Sequence, residues 1–121
     1  MSDVKTIKID DVEYVRKDSV AILDNAENYV VIRTQSAGVH AGYLSETKLA
    51  HGEVTLKNAR RIWYWDGAAS LSQLATEGVS KPENCKFSVV VPQITLLGVI
   101  EIIPCTIKAI SNISKVKIWK I

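Results

Sequence analysis

The sequence predicts an α+β fold built mainly on one antiparallel sheet, and three patterns support that prediction. Residues 6–10 and 12–16 alternate apolar with polar side chains, which is typical of strands with one covered face. Residues 29–34 are β-branched and aromatic, the composition that strands favour. Residues 70–77 combine a helix start signal with helical spacing and predict one short helix.

The first half of the chain divides into a hairpin and a second strand pair. The hairpin covers residues 6–16, and residues 19–27 follow as a connector or short helical turn. The strand over residues 29–34 turns at residues 35–38, where Gly38 permits a positive φ. Its partner covers residues 39–44, and residues 45–52 are expected to be a polar connector.

Residues 53–65 form the longest predicted strand. Apolar residues fill the ends of both of its faces, while Lys57, Asn58, Arg60 and Arg61 crowd its middle. We therefore expect a bulge near Asn58, because bulges re-aim side chains beside functional sites.

The second half begins with the helix over residues 70–77. After it, residues 86–91 and 94–103 predict two strands, the second apolar enough to be buried on both sides. Residues 106–112 predict a C-terminal helical turn, and residues 116–119 predict a last strand.

Composition excludes several classes of protein. The 121 residues are 47% hydrophobic and 23% charged, which excludes a disordered chain and favours one globular domain over residues 1–121. Fifteen basic and 13 acidic residues leave a net charge of +2, which is too low to suggest bulk, sequence-independent nucleic-acid binding. No signal peptide or membrane-spanning stretch is visible, so we expect a cytoplasmic protein in which Cys85 and Cys105 are reduced, buried thiols.

Catalytic and metal-binding patterns are missing from the sequence. The spacing of two histidines and two cysteines does not suit a zinc site, and no nucleophile or phosphate-loop motif occurs. Glu101 lies alone in an apolar segment. It is either an acid–base group with a raised pKa or, as we favour, the charge on the solvent face of an edge strand.

One constellation points to a ligand site. Residues 57–67 join two arginines to three aromatic side chains, and the turn at Gly38 and His40 offers N–H donors. Arginine binds phosphate through two hydrogen bonds, and aromatic faces stack on nucleobases. The alternative is that the tryptophans and tyrosine belong to the core.

Residues 36–44 and 54–75 resemble the first-described family of phage Thoeris anti-defence proteins. The most specific match is the string R-R-x-W-Y-W-x-G-A-A-S-L-S-Q-L over residues 60–74. A looser match runs through residues 82–86 and 101–105, so the resemblance covers well over half of the chain.

The resemblance implies a non-enzymatic sponge with no cofactor and no metal. In Thoeris defence a TIR-domain enzyme converts NAD into a cyclic ADP-ribose isomer that activates an effector. Family members bind this signal in the host cytoplasm without cleaving it. They form dimers or larger homo-oligomers with the pocket beside the subunit interface. From its charge and hydropathy, we expect this chain to bind neither DNA nor membranes. A separate basic site for cyclic oligonucleotides is a secondary expectation.

The constellation and the resemblance together select ten candidate ligand-binding residues. They are Arg33, Ser36, Gly38, Val39, His40, Asn58, Arg60, Arg61, Trp63 and Trp65. In a regular strand Arg60 and Arg61 point to opposite faces. We expect Arg60 to bind phosphate, since it shares a face with Asn58, and Arg61 to be structural or to lie at a subunit interface.

Two alternatives stay open at this stage. One is an enzyme that hydrolyses a nucleotide signal, for which Glu101, His40 and Asp66 are the candidate titratable groups. The other is a phage structural or protein-interaction domain whose tryptophans form a subunit interface.

Overall fold

The computed structural model describes residues 28–121. The hairpin predicted over residues 6–16 and the connector predicted over residues 19–27 lie outside the described residues.

The described residues form six strands and two helices, and every strand pair is antiparallel. The strands are β1 (Tyr29–Thr34), β2 (Val39–Lys48), β3 (Glu53–Tyr64), β4 (Lys86–Phe87), β5 (Val91–Leu96) and β6 (Val99–Pro104). The helices are α1 (Leu71–Glu77) and α2 (Ile107–Ser114). The predicted α+β class, with a β-rich antiparallel sheet, is confirmed.

The sheet has the strand order β4-β3-β2-β1-β6, and β5 also pairs with β3. The length of β3 allows both pairings: β4 lies against its C-terminal end, and β5 lies against residues 54–59. Only Leu97 and Gly98 separate β5 from β6. Because β5 pairs with β3 while β6 pairs with β1, this short connection requires the sheet to curl and brings β5 and β6 close together.

Each face of the curled sheet covers its own hydrophobic core. Inside the curl, Val30, Ile32 and Leu56 belong to one cluster of buried side chains. On the opposite face, side chains such as Ile62 and Phe87 pack with buried residues of α1 and α2. Apolar burial on both faces accounts for the near-continuous apolar run in β1.

The bulge predicted near Asn58 is confirmed. Asn58 has a φ of 49°, a left-handed conformation that asparagine tolerates better than most residues. The register passes from Ala41 opposite Arg60 to Tyr43 opposite Lys57, so β3 carries one extra residue. The extra residue reverses the side-chain alternation, and Arg60 consequently faces the helices.

Both helices begin with side-chain caps. The hydroxyl of Ser70 accepts from the N–H of Gln73 at 3.1 Å, while the Gln73 side chain accepts from the N–H of Ala69 at 2.8 Å. The helix predicted over residues 70–77 is thus present as α1. Thr106 caps α2 in the same way, and the predicted turn over residues 106–112 is a helix of two turns.

Several predicted strand boundaries are wrong for local reasons. The strand predicted over residues 94–103 is two strands, because Gly98 turns the chain with a φ of 69°. This segment is not buried on both sides, since Leu97 and Ile100 are exposed. The strand predicted over residues 86–91 ends after Phe87, and the next strand begins at Val91. The first part pairs with the C-terminal end of β3, and the strand that begins at Val91 pairs with residues 54–59.

Two other boundaries moved. Residues 45–52 were predicted to be a connector, but β2 continues to Lys48. These polar residues are in a strand because they pair with β3. The strand predicted over residues 116–119 is a single bridge between Ile118 and Phe87.

Candidate ligand-binding site

Two adjoining cavities lie where the β1–β2 turn meets the C-terminal half of β3. The larger, which we call the turn cavity, has a volume of about 390 Å³ and is lined by residues 36–39, Arg61, Ile62, Trp63 and Trp65. The smaller, which we call the loop cavity, has a volume of about 250 Å³, and its walls include His40, Arg61, Trp63 and Val89. Arg61 and Trp63 line both cavities.

Arg61 and Trp63 form a cation–aromatic pair on one face of β3. The guanidinium carbon lies 5.5 Å from the indole centroid, and Trp63 is 60% exposed. The Arg61 backbone is fixed, because its N–H donates to the Ser88 hydroxyl at 2.8 Å and its carbonyl accepts from the Ser88 N–H at 2.9 Å. Within residues 28–121 the Arg61 guanidinium forms neither a hydrogen bond nor an ion pair, which leaves its charge available to an anion.

The β1–β2 turn is held by two buried side chains. Gly38 has a φ of 85°, which glycine adopts without strain. Thr34 Oγ1 accepts from the Ala37 N–H at 2.7 Å and donates to the Gly38 carbonyl at 2.8 Å. His40 Nε2 donates to the Ala37 carbonyl at 2.8 Å.

His40 is buried and uncharged at neutral pH. Burial lowers its pKa most; the bond to the Ala37 carbonyl opposes that shift, and the Arg61 charge adds to it. His40 lines the loop cavity and does not line the turn cavity. The predicted site residue therefore supports the turn through a backbone hydrogen bond.

The Arg60 side chain lines the loop cavity but lies on a different face of β3 from the one predicted. Arg60 is only 2% exposed, its Nε donates to the Ser88 carbonyl at 3.0 Å, and its Nη1 donates to the Ile113 carbonyl at 2.9 Å. Its guanidinium also lies 5.2 Å from the Phe87 ring centroid. Burial lowers the pKa of Arg60. The predicted face of Arg60 was wrong because it assumed a regular strand, whereas the bulge at Asn58 turns Arg60 toward the helices. That Arg60 binds phosphate stays a prediction.

Two further candidates lie outside both cavities. Arg33 forms an ion pair of 2.9 Å with Glu101 on the solvent side of the sheet. Asn58 is exposed at the bulge, where its backbone conformation accounts for the residue type. The interpretation of Glu101 as the charge on an edge strand agrees with this pair, since β6 pairs only with β1 among the described strands.

The turn cavity brings together six of the ten candidates. They are Ser36, Gly38, Val39, Arg61, Trp63 and Trp65. The sequence did not point to Thr34, because a threonine in a strand looks like any β-branched residue, or to Ser88, which lies in an irregular segment.

The described residues include two cysteines and no cluster of metal-ligating side chains. No group of three or more His, Cys, Asp or Glu side chains is close enough there to hold a metal ion. Cys85 and Cys105 are free thiols, and burial raises both pKa values, that of Cys105 to about 12. No helix in residues 28–121 is both long and apolar enough to cross a membrane.

Comparison with known proteins gives one match. A family model described as "Domain of unknown function (DUF6948)" matches residues 27–113, which include both cavities. Searches of curated proteins and of solved structures found no match.

Proposed function

We propose that this chain, which belongs to the DUF6948 family, binds a cyclic ADP-ribose isomer made by a TIR-domain enzyme and sequesters it without degrading it. Removing the signal from solution keeps the Thoeris effector inactive, so the protein acts for the phage against host immunity. The site of action is the cytoplasm of the infected bacterium, where the signal is made.

The observation that carries the proposal is the position of Arg61 and Trp63 beside the turn at Gly38. A cyclic ADP-ribose isomer has a negatively charged pyrophosphate and an adenine. The Arg61 guanidinium and the N–H groups of the turn suit the pyrophosphate. The exposed indole of Trp63 suits the adenine, because bases stack on aromatic side chains.

Size and affinity are compatible with this ligand. The turn cavity, at about 390 Å³, lies within the range of about 300–1,000 Å³ of small-molecule sites, and the loop cavity adds space across Arg61 and Trp63. About 35 non-hydrogen atoms at roughly 0.3 kcal/mol each give a binding free energy near 11 kcal/mol, or a Kd on the order of 10 nM. Such an affinity is sufficient for a sponge that is present in excess of its signal.

Binding without turnover is favoured by the state of the three titratable candidates. His40 commits its Nε2 to the Ala37 carbonyl, and its neutral ring is buried. Asp66 accepts from the Asn84 side chain at 2.9 Å, and Glu101 is paired with Arg33 at the sheet edge. The hydrolase alternative requires at least one of these groups to act on the ligand, since general acid–base catalysis needs a group within hydrogen-bond reach.

Calorimetry with purified cyclic ADP-ribose isomers tests the proposal. We expect tight binding of at least one isomer, and chromatography after heat release should recover it unchanged. Failure of every isomer to bind at micromolar protein would contradict sequestration. Recovery of ADP-ribose would instead favour the hydrolase.

The exposed apolar side chains favour self-association as part of the same function. Trp63, Tyr64, Val89 and Val90 are exposed around the loop cavity and the adjacent end of β3. Large exposed apolar groups often mark protein–protein contacts. We propose that a second copy covers Tyr64, Val89 and Val90 beside the pocket and leaves the Trp63 indole to the ligand. The assembly is then at least a dimer, which sedimentation velocity can test. If the domain serves only assembly, Trp63→Ala should dissociate it and no nucleotide should raise its melting temperature.

The separate basic site for cyclic oligonucleotides stays a prediction.

A further inference from the structure

Two buried side chains bond to three backbone groups of the β1–β2 turn. The Gly38 carbonyl accepts from the Thr34 hydroxyl at 2.8 Å and from the Thr34 N–H at 3.0 Å. The Ala37 N–H donates to the Thr34 hydroxyl, and the Ala37 carbonyl accepts from His40. Two carbonyls of the turn are thus occupied.

The turn leaves two N–H donors unused beside the turn cavity. Within residues 28–121 no hydrogen bond involves the N–H of Ser36 or of Gly38, and both residues line the turn cavity. The carbonyls of Ala37 and Gly38, on either side of the Gly38 Cα, are already occupied by His40 and Thr34. Donors in a left-handed turn beside a cation are suited to an anion.

The turn is also rigid before any ligand arrives. Thr34 is 6% exposed and His40 is 1% exposed, so packing fixes both side chains. A glycine-containing turn would otherwise sample several conformations. A loop already held in its binding conformation loses less entropy when a ligand binds, and its affinity is correspondingly higher.

We propose that Thr34 is a positioning residue for an anion subsite at the β1–β2 turn. Its hydroxyl bridges the Ala37 N–H and the Gly38 carbonyl, and thereby presents the N–H groups of Ser36 and Gly38 to a phosphate. This inference rests on the proposed function and deepens it, because it assigns the pyrophosphate of the ligand to the turn.

Thr55 supplies a matched control. It is 8% exposed, its hydroxyl lies 3.1 Å from the Thr95 hydroxyl, and it lines neither cavity. Thr34→Val and Thr55→Val each replace a buried hydroxyl with a methyl group and keep the shape of the side chain. We expect similar losses of melting temperature from both variants.

Ligand affinity should separate the two variants. Thr34→Val should weaken binding of the cyclic ADP-ribose isomer by about tenfold, because the two hydrogen bonds of the Thr34 hydroxyl no longer order the turn. Thr55→Val should stay within about twofold of the parent. Thr34→Ser keeps the hydroxyl and should restore affinity. Equal affinity of Thr34→Val and the parent overturns the inference but leaves the proposed function standing.

A titration with inorganic pyrophosphate tests the subsite independently of the nucleotide. In the parent protein, the amide resonances of Ser36 and Gly38 should shift, and in Thr34→Val these shifts should be lost. If the parent binds no cyclic ADP-ribose isomer but shows these shifts, the proposed function fails and the anion subsite is retained. If neither resonance moves in the parent, the inference is overturned, and this result does not require Thr34→Val to fold.

Discussion

Replacing Arg61 with alanine removes the guanidinium that lines both cavities. In the bound state this group is expected to donate charge-assisted hydrogen bonds to a phosphate, an interaction worth about 1.5–3 kcal/mol. The affinity for the cyclic ADP-ribose isomer should therefore fall by about 10- to 100-fold.

The same substitution should hardly change stability. The two hydrogen bonds between Arg61 and Ser88 use the Arg61 backbone and stay in place. The guanidinium has no hydrogen-bond or ion-pair partner among residues 28–121, and its contact with the exposed Trp63 is a weak one. We expect the free energy of unfolding to change by less than about 1 kcal/mol.

Arg33→Ala is the matched control, because it removes the same charge from a surface position outside both cavities. The ion pair between Arg33 and Glu101 is exposed, so its loss should also cost little stability. Calorimetry and thermal melts of both variants are the assays. The reasoning is refuted if Arg61→Ala binds as tightly as the parent, or if Arg33→Ala weakens binding equally.

Three more predictions follow from buried or stacked side chains. Arg60→Met should lower the free energy of unfolding by about 2–4 kcal/mol in urea titrations, because the carbonyls of Ser88 and Ile113 lose their buried partner. Trp63→Ala should weaken ligand binding by about 1–3 kcal/mol in calorimetry, since a base loses its stacking surface. The stability of the parent should fall as pH drops below about 6.5, because the pKa of His40 is lowered in the folded state and the unfolded state then binds more protons. His40→Asn should reduce that slope in urea titrations at pH 7.5 and 5.5.

Each of these has a distinct contradicting result. An Arg60→Met variant as stable as the parent would mean that its two backbone contacts carry no weight. Trp119 is exposed and lines neither cavity, so Trp119→Ala should bind as the parent does; an equal loss in both tryptophan variants would remove the case for stacking. If the free energy of unfolding of His40→Asn depends on pH as strongly as that of the parent, groups other than His40 cause the pH dependence.

The sequence predicted the elements of the fold better than their faces. The polar run around Asn58 was enough to place a bulge in β3, and the residues from Ser70 to Gln73 were enough to start α1. Regular alternation was still assumed after the bulge, so Arg60 and Arg61 were assigned to the wrong faces of β3. Side-chain alternation holds only along a regular strand, and one extra residue reverses it.

The site was predicted in part for a related reason. Arg61, Trp63 and the turn at Gly38 come together because β2 and β3 pair directly, and such local pairing can be read from a sequence. Thr34 and Ser88 act through hydrogen bonds to backbone groups. Backbone partners leave no pattern in residue type, so these contacts become visible only once the chain is folded.

Mass spectrometry of the small molecules carried by the protein tests sequestration most directly. The protein is exposed to the products of an activated TIR-domain enzyme, separated from free nucleotides, and heated to release what it holds. We predict an intact cyclic ADP-ribose isomer in near-stoichiometric amount from the parent and much less from Arg61→Ala. Release of no nucleotide, or of ADP-ribose alone, would contradict the account.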